Sequence, residues 1–200
     1  MRGKRVDGIS DGVGFLFQRD ALLPWKTVLQ NVALPLQLRG ITGKAQAERV
    51  ADFISRVGLN GFEANYPHEL SGGMRKRVAL AQTLVYDPEI LLMDEPFSAL
   101  DVQTRNLMED ELLALWQGSG KTVIFVTHDL EEAIALADEV VVMTAGPASV
   151  KATYDVDLPR PRNVQEVRFD ERFVKLYQAM WNDLRDEVLE SYERSRKAAK

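Results

Sequence analysis

Leu70-Ser71-Gly72-Gly73-Met74-Arg75-Lys76-Arg77, followed one helix later by Ile90-Leu91-Leu92-Met93-Asp94-Glu95-Pro96, decides the fold. The first run is a capped helix start. Ser71 is a good N-cap, and bare glycines behind it leave the first N–H groups of the helix open to an anion, at the positive end of its dipole. The second run is a short apolar strand of the buried type. It delivers two adjacent carboxylates at its C-terminal end, one suited to a metal ion and the next to a water molecule.

The pattern extends in both directions. Val13–Phe17 reads as a strand ending at Gln18. Thr27 reads as the cap of a helix toward Leu38, which Pro35 is expected to kink or interrupt. Thr42 reads as the cap of a second helix, with Ala47, Val50, Ala51, Ile54 and Val57 on one face and Gly58 at its end. From Ser71 a helix carries Met74, Val78, Ala81, Leu84 and Val85 on one face until Asp87-Pro88 stops it. Beyond Pro96, a helix from about Val102 to Trp116 is expected to turn Leu107, Leu112, Leu115 and Trp116 inward. Gly118-Ser119-Gly120 is a loop. Val123–Thr127 is a second buried strand ending at His128, Leu130–Ala137 a short helix, and Val140–Met143 a third apolar strand. Strands alternating with helices imply an α/β fold with a mainly parallel, covered sheet. Val150–Tyr154 alternates as an edge strand does, and Leu158-Pro159-Arg160-Pro161-Arg162 reads as a stiff linker. Phe169, Phe173, Leu176, Tyr177, Met180, Trp181, Leu184, Val188, Leu189 and Tyr192 trace one face of a long amphipathic helix.

Composition narrows the function. The 200 residues carry a formal charge of -5, and the one basic cluster is the short tail Arg194–Lys200, so nucleic acid is not the expected partner. With no cysteine, disulfides and thiolate metal sites are excluded. His68 and His128 are too few for a histidine-built metal site. No apolar run approaches the ~18 residues that span a bilayer, and residues 1–12 hold no signal core.

Singly, each motif has an ordinary explanation: a capped helix, solvated acids at a strand end, a half-buried histidine, a glutamine closing a strand. Their joint order does not. Gln18, then Ser71-Gly72-Gly73, then an apolar strand with Asp94-Glu95, then Ser98-Ala99-Leu100-Asp101, then His128, resembles the ATP-binding subunits of ATP-binding-cassette (ABC) transporters. Leu70–Gly73 matches the family signature, Leu91–Glu95 the Walker B strand, Ser98–Asp101 the D-loop, His128 the switch histidine and Gln18 the Q-loop glutamine. Phe17-Gln18 followed by Ala21-Leu22-Leu23-Pro24-Trp25, together with Tyr66-Pro67-His68-Glu69, Glu131-Glu132-Ala133 and the Leu158–Arg162 linker, resembles the importer branch for nitrate, sulfonates and taurine.

The resemblance implies a P-loop-NTPase-like ABC core with an inserted helical subdomain. It divides the chain into a residual N-terminal part of the core (1–18), the helical subdomain (19–70), the main core (71–157), and a linker with a C-terminal helix (158–200). It implies that Asp94 holds Mg²⁺, with Gln18 touching the metal or water, and that Glu95 orients or deprotonates the attacking water. His128 contacts the γ-phosphate of ATP, and Asp101 lies across a dimer seam. Ser71, Gly72 and Gly73 bind the γ-phosphate of ATP held by an opposite subunit. The implied partners are a second nucleotide-binding subunit, membrane permease subunits and, indirectly, a solute-binding protein. The implied location is the cytoplasmic face of a membrane.

The family often has Gln where Lys76 stands and Arg where Gln82 stands. Both lie outside the phosphate-touching groups, so shifts in affinity or packing are expected without loss of mechanism. The Walker A loop, Gly-x-x-x-x-Gly-Lys-Ser/Thr, should precede Gln18, and so should the aromatic that stacks on adenine; residues 1–12 contain neither. Gly118-Ser119-Gly120-Lys121-Thr122 does not replace the loop. Leu115 occupies the leading glycine position, and a strand follows where a helix must begin. The chain is therefore expected to be N-terminally truncated, with uncovered apolar surface on its sheet. Reading upstream of the Met1 codon tests this: no in-frame Walker A there would overturn it. Two alternatives stand beside the importer ATPase. One is a non-catalytic partner that completes another subunit's ATP site; the other is an ABC ATPase of DNA repair or translation.

Overall fold

A computed structural model describes residues 5, 8, 10–116 and 118–198, with side chains as far as 185 and at 187. The chain divides into two compact units, residues 1–126 and 127–200.

The first unit contains β1 (Val13–Leu16), α1 (Val28–Leu38), α2 (Gly43–Arg56), α3 (Gly72–Leu84), β2 (Ile90–Asp94), α4 (Val102–Trp116) and β3 (Thr122–Val126). Its three strands are parallel in the order β1-β2-β3, with Leu16, Met93 and Phe125 in one row and Phe15, Leu92 and Ile124 in the next. Leu16, Leu91 and Met93 are buried. Gly14 lies on that face, where an added Cβ would stand 2.9 Å from Thr83 of α3 and 2.9 Å from Leu91, so only glycine lets helix and strand approach this closely. The other face is more open, with Phe15 42%, Ile124 55% and Val126 53% exposed. The expectation of a covered sheet thus holds for one face among the described residues. β3 alternates in exposure and is not a fully buried strand.

α1 begins at a capping box. The Thr27 hydroxyl accepts the Gln30 N–H, while Gln30 Oε1 accepts the Thr27 N–H. The helix runs on through Pro35, so the expected interruption does not occur. Val32 and Leu36, fully buried on its core side, hold it in place despite the missing N–H. Thr42 takes the N-cap position of α2, but its hydroxyl makes no cap bond. α4 presents Met108, Leu112 and Leu113 to the core, whereas Leu107 is 54% exposed and does not turn inward as expected. Gly118 and Gly120 take positive φ in the turn before β3, and Lys121 is held by the Asp87 carboxylate and by the Pro88 carbonyl at 2.9 Å. This is a turn with its lysine already committed.

The second unit contains α5 (Leu130–Leu136), β4 (Glu139–Met143), β5 (Val150–Asp155), α6 (Val164–Val167) and α7 (Glu171–Ala198). β4 pairs antiparallel with β5 in a two-stranded sheet, so the third apolar strand does not extend the parallel sheet. The short 144–149 connection, too short for a crossover, dictates the hairpin. The segment read as a linker is anchored. Leu158 and Arg162 are buried, and the Arg162 guanidinium donates to the carbonyls of Ala135 (3.2 Å), Ala137 (2.6 Å), Val156 (3.2 Å) and Leu158 (3.2 Å), closing the end of α5. Phe173 and Met180 bury one face of α7 against its own unit. Phe169 is 87% and Trp181 49% exposed, so the apolar stripe is narrower than expected. The side chains of Val188, Leu189 and Tyr192 lie outside the described residues. Among the described residues, no helix is long and apolar enough to cross a membrane.

Asn31, fully buried in α1, ties down the 23–27 turn. Its Oδ1 accepts the Leu23 N–H (2.8 Å), and its Nδ2 faces the carbonyls of Leu23 (3.2 Å), Lys26 (2.9 Å) and Thr27 (3.0 Å). Asn31→Leu strands several of these groups at once and is expected to cost about 2–4 kcal/mol, read from the midpoint of urea denaturation.

Candidate functional site

Parallel pairing puts the C-terminal ends of β1 and β2 side by side, and the residues that follow them meet. Gln18 Nε2 donates to Glu95 Oε2 at 2.9 Å and lies 3.4 Å from Ser98 Oγ. Ser98 Oγ in turn donates to the Glu95 carbonyl at 3.0 Å. Glu95 is anchored on its other side, its N–H donating to the Val126 carbonyl at 2.8 Å. Its φ is 42°, in the left-handed region that a side chain adopts at a cost, as residues at functional sites often do. Asp94 ends β2 and is exposed.

With its amide nitrogen committed to Glu95 and Ser98, Gln18 keeps its amide oxygen as an acceptor. Asp94 and Gln18 together offer hard oxygen donors. Among the described residues, no group of three or more His, Cys, Asp or Glu forms a cage for a metal. Such a donor set fits Mg²⁺ carried in by phosphates, which keeps its waters and takes one or two protein oxygens.

Ser71 caps α3 as read, its hydroxyl accepting the Met74 N–H at 3.2 Å. The two glycines behind it differ. A Cβ on Gly73 would fall 2.8 Å from Thr104 Cγ2 of α4, so this glycine is required by packing. A Cβ on Gly72 would meet nothing nearer than 3.8 Å, so that position stays open toward an approaching group. Asp101 starts α4: its carboxylate accepts the Thr104 N–H at 3.0 Å, and this bond holds its pKa below the usual carboxylate range.

His128 belongs to the second unit. There Thr127 Oγ1 bonds the Glu132 carboxylate and accepts the Asp129 N–H at 3.0 Å. Asp129 caps α5 through the N–H groups of Glu131 (2.9 Å) and Glu132 (3.3 Å). His128 therefore sits on a chain segment braced on its C-terminal side.

Three residues of the first unit were not singled out as functional by sequence: Ser98 as a partner of Gln18, and the pair Asp20 and Lys76. Lys76 is 3% exposed, with Nζ 2.6 Å from the Gln18 carbonyl, 3.2 Å from that of Phe17 and 3.0 Å from Asp20 Oδ1. Its departure from the family's glutamine was the available signal.

The chain belongs to the ATP-binding proteins of ABC transporters, and it is an ABC-type ATPase of that family. The ABC transporter family profile matches residues 2–98. An uncharacterized ABC transporter ATP-binding protein of Methanocaldococcus jannaschii is 51% identical over 189 residues, covering 94% of this chain and 69% of that one. An aliphatic sulfonates import ATP-binding protein of Bacillus cereus is 40% identical, covering 96% of this chain and 70% of its own length. A taurine import ATP-binding protein of Escherichia coli is 40% identical, covering 88% and 71%. Among solved structures, cbiO1 from Clostridium perfringens, part of the ABC transporter complex cbiONQ, superposes with a TM-score of 0.65 at 25% identity, over 82% of this chain and 62% of that one.

Two outcomes follow from this geometry. Gly73→Ala pushes α3 from α4 and is expected to lower stability by about 1–3 kcal/mol, whereas Gly72→Ala leaves the melting temperature unchanged within error. Because its folded pKa is depressed, Asp101 contributes stability in full above the ordinary carboxylate range and loses it as the pH falls through the folded value. Asp101→Ala is expected to flatten the acid limb of a stability-against-pH curve.

Proposed function

We propose that this chain is the ATP-hydrolysing subunit of an importer for small sulfonate-type anions, working as a pair at the cytoplasmic face of a membrane. The observation that carries the reading is the 2.9 Å hydrogen bond joining Gln18 to Glu95. It supports the reading because it joins a carboxylate and an amide at the C-terminal edge of a parallel sheet, where α/β folds hold their ligands. The sulfonate-import relative of Bacillus and the taurine-import relative of Escherichia support the solute class, and membrane permease subunits with a solute-binding protein are the matching partners.

In the reaction, a water oxygen bonds the γ-phosphorus as the bond to the β–γ bridging oxygen breaks; ADP leaves with that electron pair. Glu95 orients the water and takes its proton. Asp94 and the Gln18 amide oxygen would hold Mg²⁺, which would supply neutralisation of phosphate charge. His128 contacts the γ-phosphate. Ser71, Gly72 and Gly73 offer the open start of α3 to nucleotide on the other subunit, with Asp101 at the seam between them.

Glu95→Gln is expected to lower ATP turnover of the assembled transporter by about 100-fold or more while nucleotide binding persists. Turnover that survives this change would remove Glu95 from the proposed role. Uptake assays with taurine, an alkanesulfonate and nitrate discriminate the solute, and stimulation by none of them would overturn the anion assignment.

A further inference from the structure

We propose that Lys76 is a positioning residue: it clamps the turn carrying Gln18 onto α3 and thereby sets where the Gln18 amide stands beside Glu95. The proposal rests on the functional reading above only for its consequence in turnover.

An ammonium has three N–H donors. Lys76 Nζ donates to the Gln18 carbonyl at 2.6 Å and to the Phe17 carbonyl at 3.2 Å, and it forms an ion pair with Asp20 Oδ1 at 3.0 Å that lacks hydrogen-bond geometry, with the Lys76 side chain only 4% exposed. A charge this far from water is tolerated only while its partners stay in place. Residues 17–20 cannot drift from α3 without stranding it. The clamp is doubled by Arg75, whose Nε lies 3.4 Å from Asp20 Oδ2 and whose Nη1 donates to the Leu70 carbonyl at 2.7 Å. One carboxylate, Asp20, is thus gripped by two successive cations at the start of the signature helix. The residue whose carbonyl Lys76 holds most tightly is the one whose side chain reaches Glu95 at 2.9 Å. The path from Lys76 to Glu95 therefore runs through a single residue. A glutamine at position 76 brings two N–H donors for the two carbonyls but no charge to pair with Asp20, so it replaces only part of the clamp.

Hydrogen exchange on the full chain tests the clamp. Lys76→Met is expected to speed exchange of the amides at 17–21 by about tenfold or more, and Lys76→Gln by less. Arg77→Met, on the same helix as Lys76, breaks the 2.7 Å pair with Glu111 of α4; it serves as the control and leaves these amides unchanged. Should Lys76→Met not fold, Lys76→Gln carries the measurement. Unchanged exchange at 17–21 in the folded Lys76 variants, or an equal rise in Arg77→Met, overturns the proposal.

The second readout is a double-mutant cycle on ATP turnover. Lys76→Met is expected to lower kcat with little change in KM, and the loss should shrink below about twofold in a Gln18→Ala background. Equal losses in both backgrounds overturn the route through Gln18. A parent complex that hydrolyses no ATP counts against the functional reading alone; the exchange result decides the clamp either way.

Discussion

Everything at the site depends on β2 being bonded in parallel on both sides. Its register with β1 and β3 is continuous from Ile90 to Met93 on one side and from Ile90 to Asp94 on the other. Leu91 and Met93 anchor it from the buried face. Because all three strands point one way, whatever follows each strand emerges at the same edge. That constraint brings the turn carrying Gln18 to the edge where it meets Glu95, across 77 positions of sequence. A slip of one residue would turn Asp94 and Glu95 about and send Leu92 into the core in place of Met93.

The polar groups around that edge are organised by charge as well as by strand geometry. Lys76 and Arg75 meet Asp20 from a helix, and Gln18 lies between them and the Glu95 carboxylate. The glycines at the start of α3 divide the labour: Gly73 admits α4, and Gly72 leaves room for something from outside. Two adjacent identical residues thus answer two different physical demands.

Much of this was legible in the chain because it follows local rules. The Ser71 and Thr27 caps, the stop at Asp87-Pro88 and the apolar run of β2 depend on neighbours within a few residues. The order of the motifs identified the site edge. What escaped was decided at long range. Pro35 stays helical because buried neighbours hold α1. Leu107 faces outward because α4 is rotated to bury Met108 and Leu112. β4 leaves the parallel sheet because a short connection returns it as a hairpin. Lys76 was hardest, since its partner Asp20 lies 56 positions away in sequence. Its long apolar stem lets the charge cross beneath the surface to Asp20.

The left-handed backbone of Glu95 carries a consequence for how the protein tolerates change. Glycine suits that conformation better than any residue with a Cβ, by about 1 kcal/mol. Position 95 is therefore a place where backbone stability and the keeping of a carboxylate pull in opposite directions. A laboratory selection that rewards folding alone would drift toward glycine there, and would discard the side chain that Gln18 meets.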